Sequence, residues 1–277
     1  MLTIGAHLSI SQGYAKAAEQ AVSIGANSFQ FFTRNPRGGS ARAFDEADVN
    51  NLSRIISENE FGELLAHAPY TINMASDDER VRTGAEELLA GDLSLMNKLP
   101  CRLYNVHPGS RKTAGVEEGV KRVADIINKV LKPEHDCFFL LETMSGKGSE
   151  LGVTFEEIQM IIERIDLKDK IGVCMDTCHL FSAGYDIVND IDGVMTSFDK
   201  IIGISKLKAV HINDSMNPFN SRKDRHEKLG KGLIGIDAIV NFINHPAICS
   251  LPMLLETPND IKGYEEEISV LKSLYRH

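Results

Sequence analysis

The segment Ile171-Gly-Val-Cys-Met-Asp176-Thr-Cys-His179 is a short apolar run that ends in a carboxylate and, three residues later, an imidazole. Gly172 near its start and an expected turn through the small residues Ser182-Ala183-Gly184 after it are typical of a central strand of a parallel sheet, apolar on both faces. The polar residues fall at the C-terminal end, where loops gather and active sites are built in sheets of βα units. The segment therefore predicts a buried strand that delivers two metal ligands, with a simple turn as the alternative.

The rest of the chain repeats this pattern of a short apolar run followed by a helical stretch. The predicted strands cover residues 2–7, 28–32, 63–66, 102–106, 137–141, 171–175, 207–212 and 252–255, and the predicted helices cover 14–24, 45–58, 77–96, 116–131, 155–165, 190–202, 236–243 and 264–274. Alternating strands and helices predict parallel pairing, and eight such units are the number that closes a sheet into a barrel. The sequence predicts an α/β fold, a (β/α)8 TIM barrel, with residues 1–277 as a single domain.

Composition bears on the cellular location of the protein and on its possible binding partners. Five cysteines without a CxxC pair are typical of reduced core residues in a cytosolic protein, so a cytoplasmic location is expected. No apolar stretch approaches membrane-spanning length. A monomer is expected, since no exposed apolar repeat indicates assembly. The formal net charge of −9 argues against a nucleic-acid partner, although bound cations can reverse the local field where acidic ligands are concentrated.

Good metal ligands stand at the ends of predicted strands three to eight. They are His67, His107, Glu142, Asp176, His211 and Glu256. In a closed parallel sheet these side chains lie on a ring around one mouth. Each alone could be a hydrogen-bonded histidine or an ion-paired carboxylate, but three carboxylates buried together repel unless cations compensate. Mixed imidazole and carboxylate ligands predict zinc, with manganese or iron as alternatives.

A further ligand set follows from the polar loop after the seventh strand. Asp224-Arg225-His226 has a DxH spacing that can place both side chains on one ion, and His179 is left over beyond Asp176. Together His179, Asp224 and His226 could hold a third ion, with the open position that catalytic zinc requires. The alternative for the DxH segment is an exposed charged turn.

Two segments after early strands suit contact with a nucleic acid. The loop Thr33-Arg-Asn-Pro-Arg37-Gly-Gly offers the guanidinium groups of Arg34 and Arg37 to phosphate. Tyr70 follows His67 and could stack on a base or fill the gap left by one. The alternatives are a solvated loop and a tyrosine that packs under its own loop.

Taken together, these residues resemble the endonuclease IV family of zinc-dependent apurinic/apyrimidinic endonucleases over the whole length of the chain. The motifs that carry the resemblance are Gly5-Ala-His7-x-Ser9, Asn105-x-His107-Pro-Gly-Ser110, Glu142-Thr with Gly146-x-Gly-Ser-x-Leu-Gly152, Gly172-Val-Cys-x-Asp176-Thr-Cys-His179, Ala183-Gly-Tyr-Asp186, His211-x-Asn-Asp214, Ser221-Arg-x-Asp224-Arg-His226, Gly230-x-Gly-x-Ile-Gly235 and Leu255-Glu256-Thr. Several motifs in the same order make the match specific.

The resemblance implies a TIM barrel with three Zn²⁺ ions per chain and distributes the ligands among them. One ion takes His67, His107 and Glu142; a second takes Glu142 as a bridge with Asp176, His211 and Glu256; the third takes His179, Asp224 and His226. Glu142 would hold the metal pair in register, and Glu256 would orient the attacking hydroxide. Arg37 and Tyr70 match DNA-reading positions of the family.

The implied activity is a DNA-repair hydrolase of the deoxyribonuclease IV type. It would cut the phosphodiester 5′ to abasic sites in double-stranded DNA, leaving 3′-hydroxyl and 5′-deoxyribose phosphate ends, with an additional 3′-end-cleaning activity. The DNA-facing loops depart from the family, because Gly38, Gly39 and Thr71 stand where members carry bulkier residues. A small Thr71 predicts a poorer wedge between bases.

Two other functions compete with this interpretation. A xylose-isomerase-like sugar isomerase or epimerase also rings its barrel mouth with Glu, Asp and His, but it predicts one or two metals and leaves His67, His107 and the Asp224/His226 pair without a joint role. A non-catalytic metal-binding or DNA-binding module conflicts with so many ligands around one pocket.

Overall fold

Over residues 2–36 and 43–276, which the computed structural model describes, strands alternate with helices. The strands are β1 (Ile4–Ala6), β2 (Gln30–Phe32), β3 (Leu65–His67), β4 (Leu103–Val106), β5 (Phe138–Glu142), β6 (Ile171–Asp176), β7 (Leu207–Ile212), β8 (Asp214–Ser215), β9 (His226–Glu227) and β10 (Met253–Leu255). The helices are α1 (Tyr14–Ser23), α2 (Glu46–Glu58), α3 (Glu79–Met96), α4 (Val116–Val130), α5 (Phe155–Glu163), α6 (Thr177–Ala183), α7 (Ile191–Ile201), α8 (Ile236–Ile243) and α9 (Ile261–Leu274).

The eight strands of the main sheet run parallel in the order β1-β10-β7-β6-β5-β4-β3-β2. The two end strands meet through a parallel bridge between His7 and Gln30, and the Leu8 N–H donates to the Gln30 carbonyl over 2.8 Å. A Cβ on Gly5 would lie 2.1 Å from the Ser28 carbonyl oxygen, so only glycine lets β1 and β2 approach this closely. The predicted single-domain TIM barrel is confirmed.

An apolar layer fills the barrel below its mouth. Six strands each contribute one buried residue to it, namely Leu65, Leu103, Leu140, Cys174, Ala209 and Leu254. The larger core lies between sheet and helices; for α4 it includes Val120, Val123 and Ile127, which recur at helical spacing. Asp45 accepts the N–H groups of Ala47 and Asp48 and so caps α2.

Two elements differ from the sequence-based prediction. Helix α6 begins directly after β6, where a turn through Ser182-Ala183-Gly184 was expected; Ser182 and Ala183 belong to the helix, and Gly184 ends it with φ 97°. The polar loop after β7 contains an antiparallel pair, β8 with β9. Both elements carry residues of the predicted site. Among the helices of the described residues, none is both long and apolar enough to cross a membrane.

Candidate metal centre

The alternation of side chains along the strands builds the centre. In a strand, residues two apart point to the same face. His67, Glu142 and Asp176 each lie two residues beyond a member of the apolar barrel layer, as do His211 and Glu256. Their side chains therefore point into the barrel just above that layer. His107 directly follows β4, whose inward-facing residue Asn105 occupies the corresponding position.

The first cluster joins His67, His107 and Glu142, whose candidate ligand atoms all lie within 4.8 Å of one another. Glu142 Oε2 lies 3.3 Å from His67 Nε2 and 3.2 Å from His107 Nε2. The other ring nitrogen of His67, Nδ1, donates to the Ala68 carbonyl over 2.6 Å, which leaves Nε2 facing the cluster without a proton when the ring is neutral. The family resemblance assigns these three residues to one ion, and the barrel brings them together.

The second cluster shares Glu142 and adds Asp176, His211 and Glu256, again within 4.8 Å. His211 Nδ1 lies 3.3 Å from Glu256 Oε2, 3.4 Å from Glu142 Oε1 and 3.8 Å from Asp176 Oδ2. Glu142 therefore presents one carboxylate oxygen to each cluster, which is the geometry that a bridging ligand requires.

The third predicted ligand set consists of His179, Asp224 and His226, and both histidine rings lie close to the Asp224 carboxylate. His179 Nε2 lies 3.3 Å and His226 Nε2 3.5 Å from Asp224 Oδ1. Both rings donate through Nδ1 to backbone carbonyls, His179 to Thr143 at 2.9 Å and His226 to Glu256 at 3.2 Å. Asp176 also lies within 4.8 Å of the two histidines.

Cys178 is a neighbour of the third set that the sequence did not single out. It groups with Asp224 and His226 within 4.8 Å. Burial raises the pKa of the Cys178 thiol to about 12, so without a metal ion the thiol stays protonated near neutral pH. Its place next to His179 in the sequence was the only available signal.

Unpaired buried atoms test whether the residues present fit metal ions. Seven buried side-chain nitrogen or oxygen atoms of the described residues lack a hydrogen-bond partner, and four of them belong to predicted ligands: Glu142 Oε1, His179 Nε2, His211 Nδ1 and His226 Nε2. Each faces one of the clusters. Buried polar atoms are normally satisfied, so unpaired ligand atoms that converge on shared volumes fit cations well.

The electrostatics of the centre are strongly coupled. Burial alone would raise the pKa of Glu142, but the neighbouring His107 and His211 outweigh it and hold that pKa well below its usual range. Burial would likewise lower the pKa of His179, yet Asp176 and Asp224 raise it well above the ordinary value. Imidazole and carboxylate charges balance each other here, and a bound cation would take over the role of the imidazole protons.

Asp214 fixes the loop that carries Asp224 and His226. Its buried carboxylate accepts the N–H groups of Ser215 and Ile234 on Oδ1 over 2.8 and 2.9 Å, and those of Gly230 and Gly232 on Oδ2 over 2.9 and 3.0 Å. A Cβ on Gly232 would lie 2.4 Å from Asp214 Oδ1, so the glycines of the 230–235 motif let the backbone wrap a carboxylate.

Two amides next to the predicted ligands also belong to the centre. Asn105 donates from Nδ2 to Glu142 Oε2, and Asn213 donates from Nδ2 to Asp176 Oδ2 over 2.7 Å. Each asparagine is two residues from a ligand histidine, and that spacing was the signal that could have identified it. Each amide orients one carboxylate and satisfies one of its oxygens.

The residues predicted to contact DNA have different outcomes. Tyr70 exposes 57% of its surface at the mouth, and its ring packs edge-on against Phe32 at 4.9 Å. Arg37, with Gly38 and Gly39, lies outside the described residues. Arg34 is not offered to a phosphate, because its guanidinium pairs with the fully buried Asp92, with Nε 2.9 Å from Oδ1.

Comparison with known proteins identifies the family of the chain. The family model for xylose isomerase-like TIM barrels matches residues 18–274. The chain is 54% identical to the probable endonuclease 4 of Clostridium beijerinckii over the full length of both, and 56% identical to that of Akkermansia muciniphila over 99% of both. It superposes on the crystal structure of endonuclease IV from Thermus thermophilus with a TM-score of 0.87, at 28% identity over 98% of each chain. The chain therefore belongs to the endonuclease 4 family of xylose isomerase-like TIM barrels.

Proposed function

We propose that this protein is a zinc-dependent DNA-repair endonuclease that hydrolyses the phosphodiester 5′ to abasic sites in duplex DNA, with a 3′-end-cleaning activity at the same centre. The products would be a 3′-hydroxyl and a 5′-deoxyribose phosphate. The proposed state is a monomer in the cytosol. Relatives named endonuclease 4 at more than half identity support the reaction class.

One observation carries the proposal: nine ligand-type side chains converge on one barrel mouth in linked clusters, with four buried ligand atoms unpaired. The proposed ligands are those assigned above: His67, His107 and Glu142; Glu142, Asp176, His211 and Glu256; and His179, Asp224 and His226. When bound, zinc would lower the pKa of a coordinated water and stabilise charge on the phosphoryl oxygens.

Two carboxylates of the protein, Glu142 and Glu256, would have different roles in the reaction. Glu142 is fully buried and faces both of the first two clusters, so it would fix their separation. Glu256 keeps 10% of its side chain exposed, and its Oε2 points at His211 while Oε1 is held by Gln30. Its position suits a residue that orients the attacking hydroxide from the rim of the buried cluster.

Substrate binding would depend on the mouth and on the charge it carries when loaded. Three Zn²⁺ would add six positive charges to a chain of formal charge −9, concentrated where a phosphate must bind. Tyr70, exposed beside His107 with ring centroids 5.6 Å apart, would contact the DNA at the lesion, and Arg37 would contact phosphate. An abasic nucleotide is poorly stacked, so its extrusion costs less than that of an intact one.

The test combines metal content with cleavage. Purified protein is analysed for zinc per chain and incubated with a duplex that carries one tetrahydrofuran abasic analogue, without magnesium and with EDTA present. We expect close to three zincs and a nick 5′ to the analogue. Glu142→Gln is expected to lose both, whereas Glu163→Gln, at the exposed end of α5, should lose neither.

Other outcomes would point elsewhere. One or two metals per chain and an intact duplex would contradict the endonuclease assignment and direct the search to sugar isomerisation. Tight binding of the abasic duplex by the zinc-loaded protein without cleavage would indicate a binding module.

A further inference from the structure

Gln30 links two proposed ligands that lie far away in the sequence. It belongs to β2, is fully buried, and points into the barrel mouth. Its Nε2 lies 2.6 Å from Glu256 Oε1 and 2.7 Å from His7 Nδ1, and its Oε1 lies 2.6 Å from His211 Nε2. All the polar atoms of one amide are thus engaged at the seam where β1 and β2 close the barrel.

The contact with Glu256 fixes the orientation of this amide. If the amide were flipped, its oxygen would stand 2.6 Å from a carboxylate oxygen, and two acceptors would face each other without a proton. With Nε2 on that side, its two N–H groups donate to Glu256 and His7. The amide oxygen then accepts a proton from His211, so that proton must lie on His211 Nε2.

The tautomer of His211 decides which of its two ring nitrogens can ligate a metal. A neutral ring that carries its proton on Nε2 presents the Nδ1 lone pair, and Nδ1 is the atom that faces Glu142 Oε1 at 3.4 Å and Glu256 Oε2 at 3.3 Å. His67, His179 and His226 have the opposite tautomer: each donates from Nδ1 to a backbone carbonyl, which leaves the lone pair on Nε2. His211 uses a side-chain amide in place of a carbonyl.

We propose that Gln30 is a positioning residue of the second metal site, which sets the ligating tautomer of His211 and leaves Oε2 as the free oxygen of Glu256. The inference rests on the proposed function, since it assumes zinc at that site. Gln30 is not itself one of the proposed ligands. Partners of this kind that fix ligand orientation typically contribute about 10–100-fold to metal affinity.

The experiment uses zinc-loaded full-length protein and two readouts other than cleavage. Gln30→Met keeps the length of the side chain and removes all three hydrogen bonds, whereas Gln30→Glu keeps an acceptor for His211 and must carry a proton on the oxygen that faces Glu256. Thr33→Val is the matched control, because Thr33 is also fully buried just after β2 but bonds to Asp92 at 2.7 Å, away from the metal clusters. Zinc release to a chromogenic chelator and the ¹⁵N shifts of the His211 ring are measured for each.

We expect Gln30→Met to release one zinc at least about tenfold faster than the wild type, and Thr33→Val to release zinc at the wild-type rate. The His211 ring should carry its proton on Nε2 in the wild type and in Gln30→Glu, and lose that preference in Gln30→Met. The rescue of the tautomer by Gln30→Glu separates positioning from simple packing.

The failures of the two proposals are distinguishable. A wild-type protein that never holds three zincs contradicts the proposed function. A wild-type protein that holds them, together with Gln30→Met that has the same release rate and the same His211 tautomer, overturns the role of Gln30. If Gln30→Met does not fold, loss of the Nε2 proton in folded Gln30→Glu overturns it as well.

Discussion

The carboxylate of Asp176 accepts the backbone N–H of His179 over 2.8 Å and thereby caps helix α6. One residue ends the strand β6 and begins the next helix. This explains the Asp-x-x-His spacing, because the cap places the third residue of the first helical turn back over the strand end. The connection has no loop, so two proposed ligands are fixed by the backbone of a single strand–helix junction.

The cap and the ligand role of Asp176 can be separated by substitution. Asparagine is as good an N-cap as aspartate but carries no charge, whereas alanine loses both properties. We expect Asp176→Asn to lose zinc while residues 177–183 keep their protection in hydrogen exchange. Asp176→Ala should lose zinc and that protection, at a cost of about 1 kcal/mol for the missing cap. Full zinc content in Asp176→Asn would rule out Asp176 as a ligand.

The strand ends were predictable because alternation along a strand is local. Once the apolar layer of Leu65, Leu140 and Cys174 is recognised, the residue two positions later must face the same way. Helix α6 was missed because seven residues are too few to show helical periodicity, and Ser182 and Ala183 are equally typical of turns.

The role of Gln30 was invisible for a different reason. Its partners His211 and Glu256 are 181 and 226 residues away, and only closure of the barrel brings them to it. The paired role of Arg34 was hidden in the same way, since Asp92 lies 58 residues further along the chain. Contacts of this kind follow from the three-dimensional closure of the sheet and leave no local pattern in the sequence.

The carboxylate of Asp214 should support zinc binding by Asp224 and His226, although Asp214 is not a proposed ligand. Asp214→Ala would leave several buried N–H groups of Gly230, Gly232 and Ile234 without an acceptor, each at about 1–3 kcal/mol. We expect a loss of at least about 3 kcal/mol in the free energy of unfolding by urea, and one zinc fewer per chain. The missing ion should be the one that we propose His179, Asp224 and His226 hold.

A second substitution controls for the loss of one acidic charge in that experiment. Asp186→Asn, on a loop where the side chain accepts hydrogen bonds from Asn189, should keep both stability and zinc content. If Asp214→Ala unfolds at the wild-type urea concentration, the carboxylate does not organise the loop.

Arg34 and Arg37, which follow β2 in the sequence, should respond to substitution in opposite ways. Arg34→Ala leaves Asp92 buried without its cation, which typically costs about 3–5 kcal/mol, so the unfolding midpoint should fall markedly. Arg37→Ala should leave stability and zinc content unchanged and weaken binding of abasic duplex, with a smaller salt dependence of the affinity. Fluorescence anisotropy across a salt series measures the binding. Loss of zinc in Arg37→Ala would count against its assignment to DNA.

Removal of metal should destabilise the protein itself. Glu142, Asp176 and Glu256 are at least nine-tenths buried and face one another's clusters, so without cations their charges rely on protonated imidazoles and neighbouring amide groups. An ion present at about 100 times its dissociation constant stabilises the native state by about 2.7 kcal/mol. We therefore expect a chelator such as dipicolinate to lower the Tm by at least about 5 °C, measured by calorimetry after the chelator is removed.

Added zinc should restore the Tm of the wild type and of Glu163→Gln but not that of Glu142→Gln. An unchanged Tm in the stripped wild type, with zinc loss verified by elemental analysis, would mean that these carboxylates are not held together by metal.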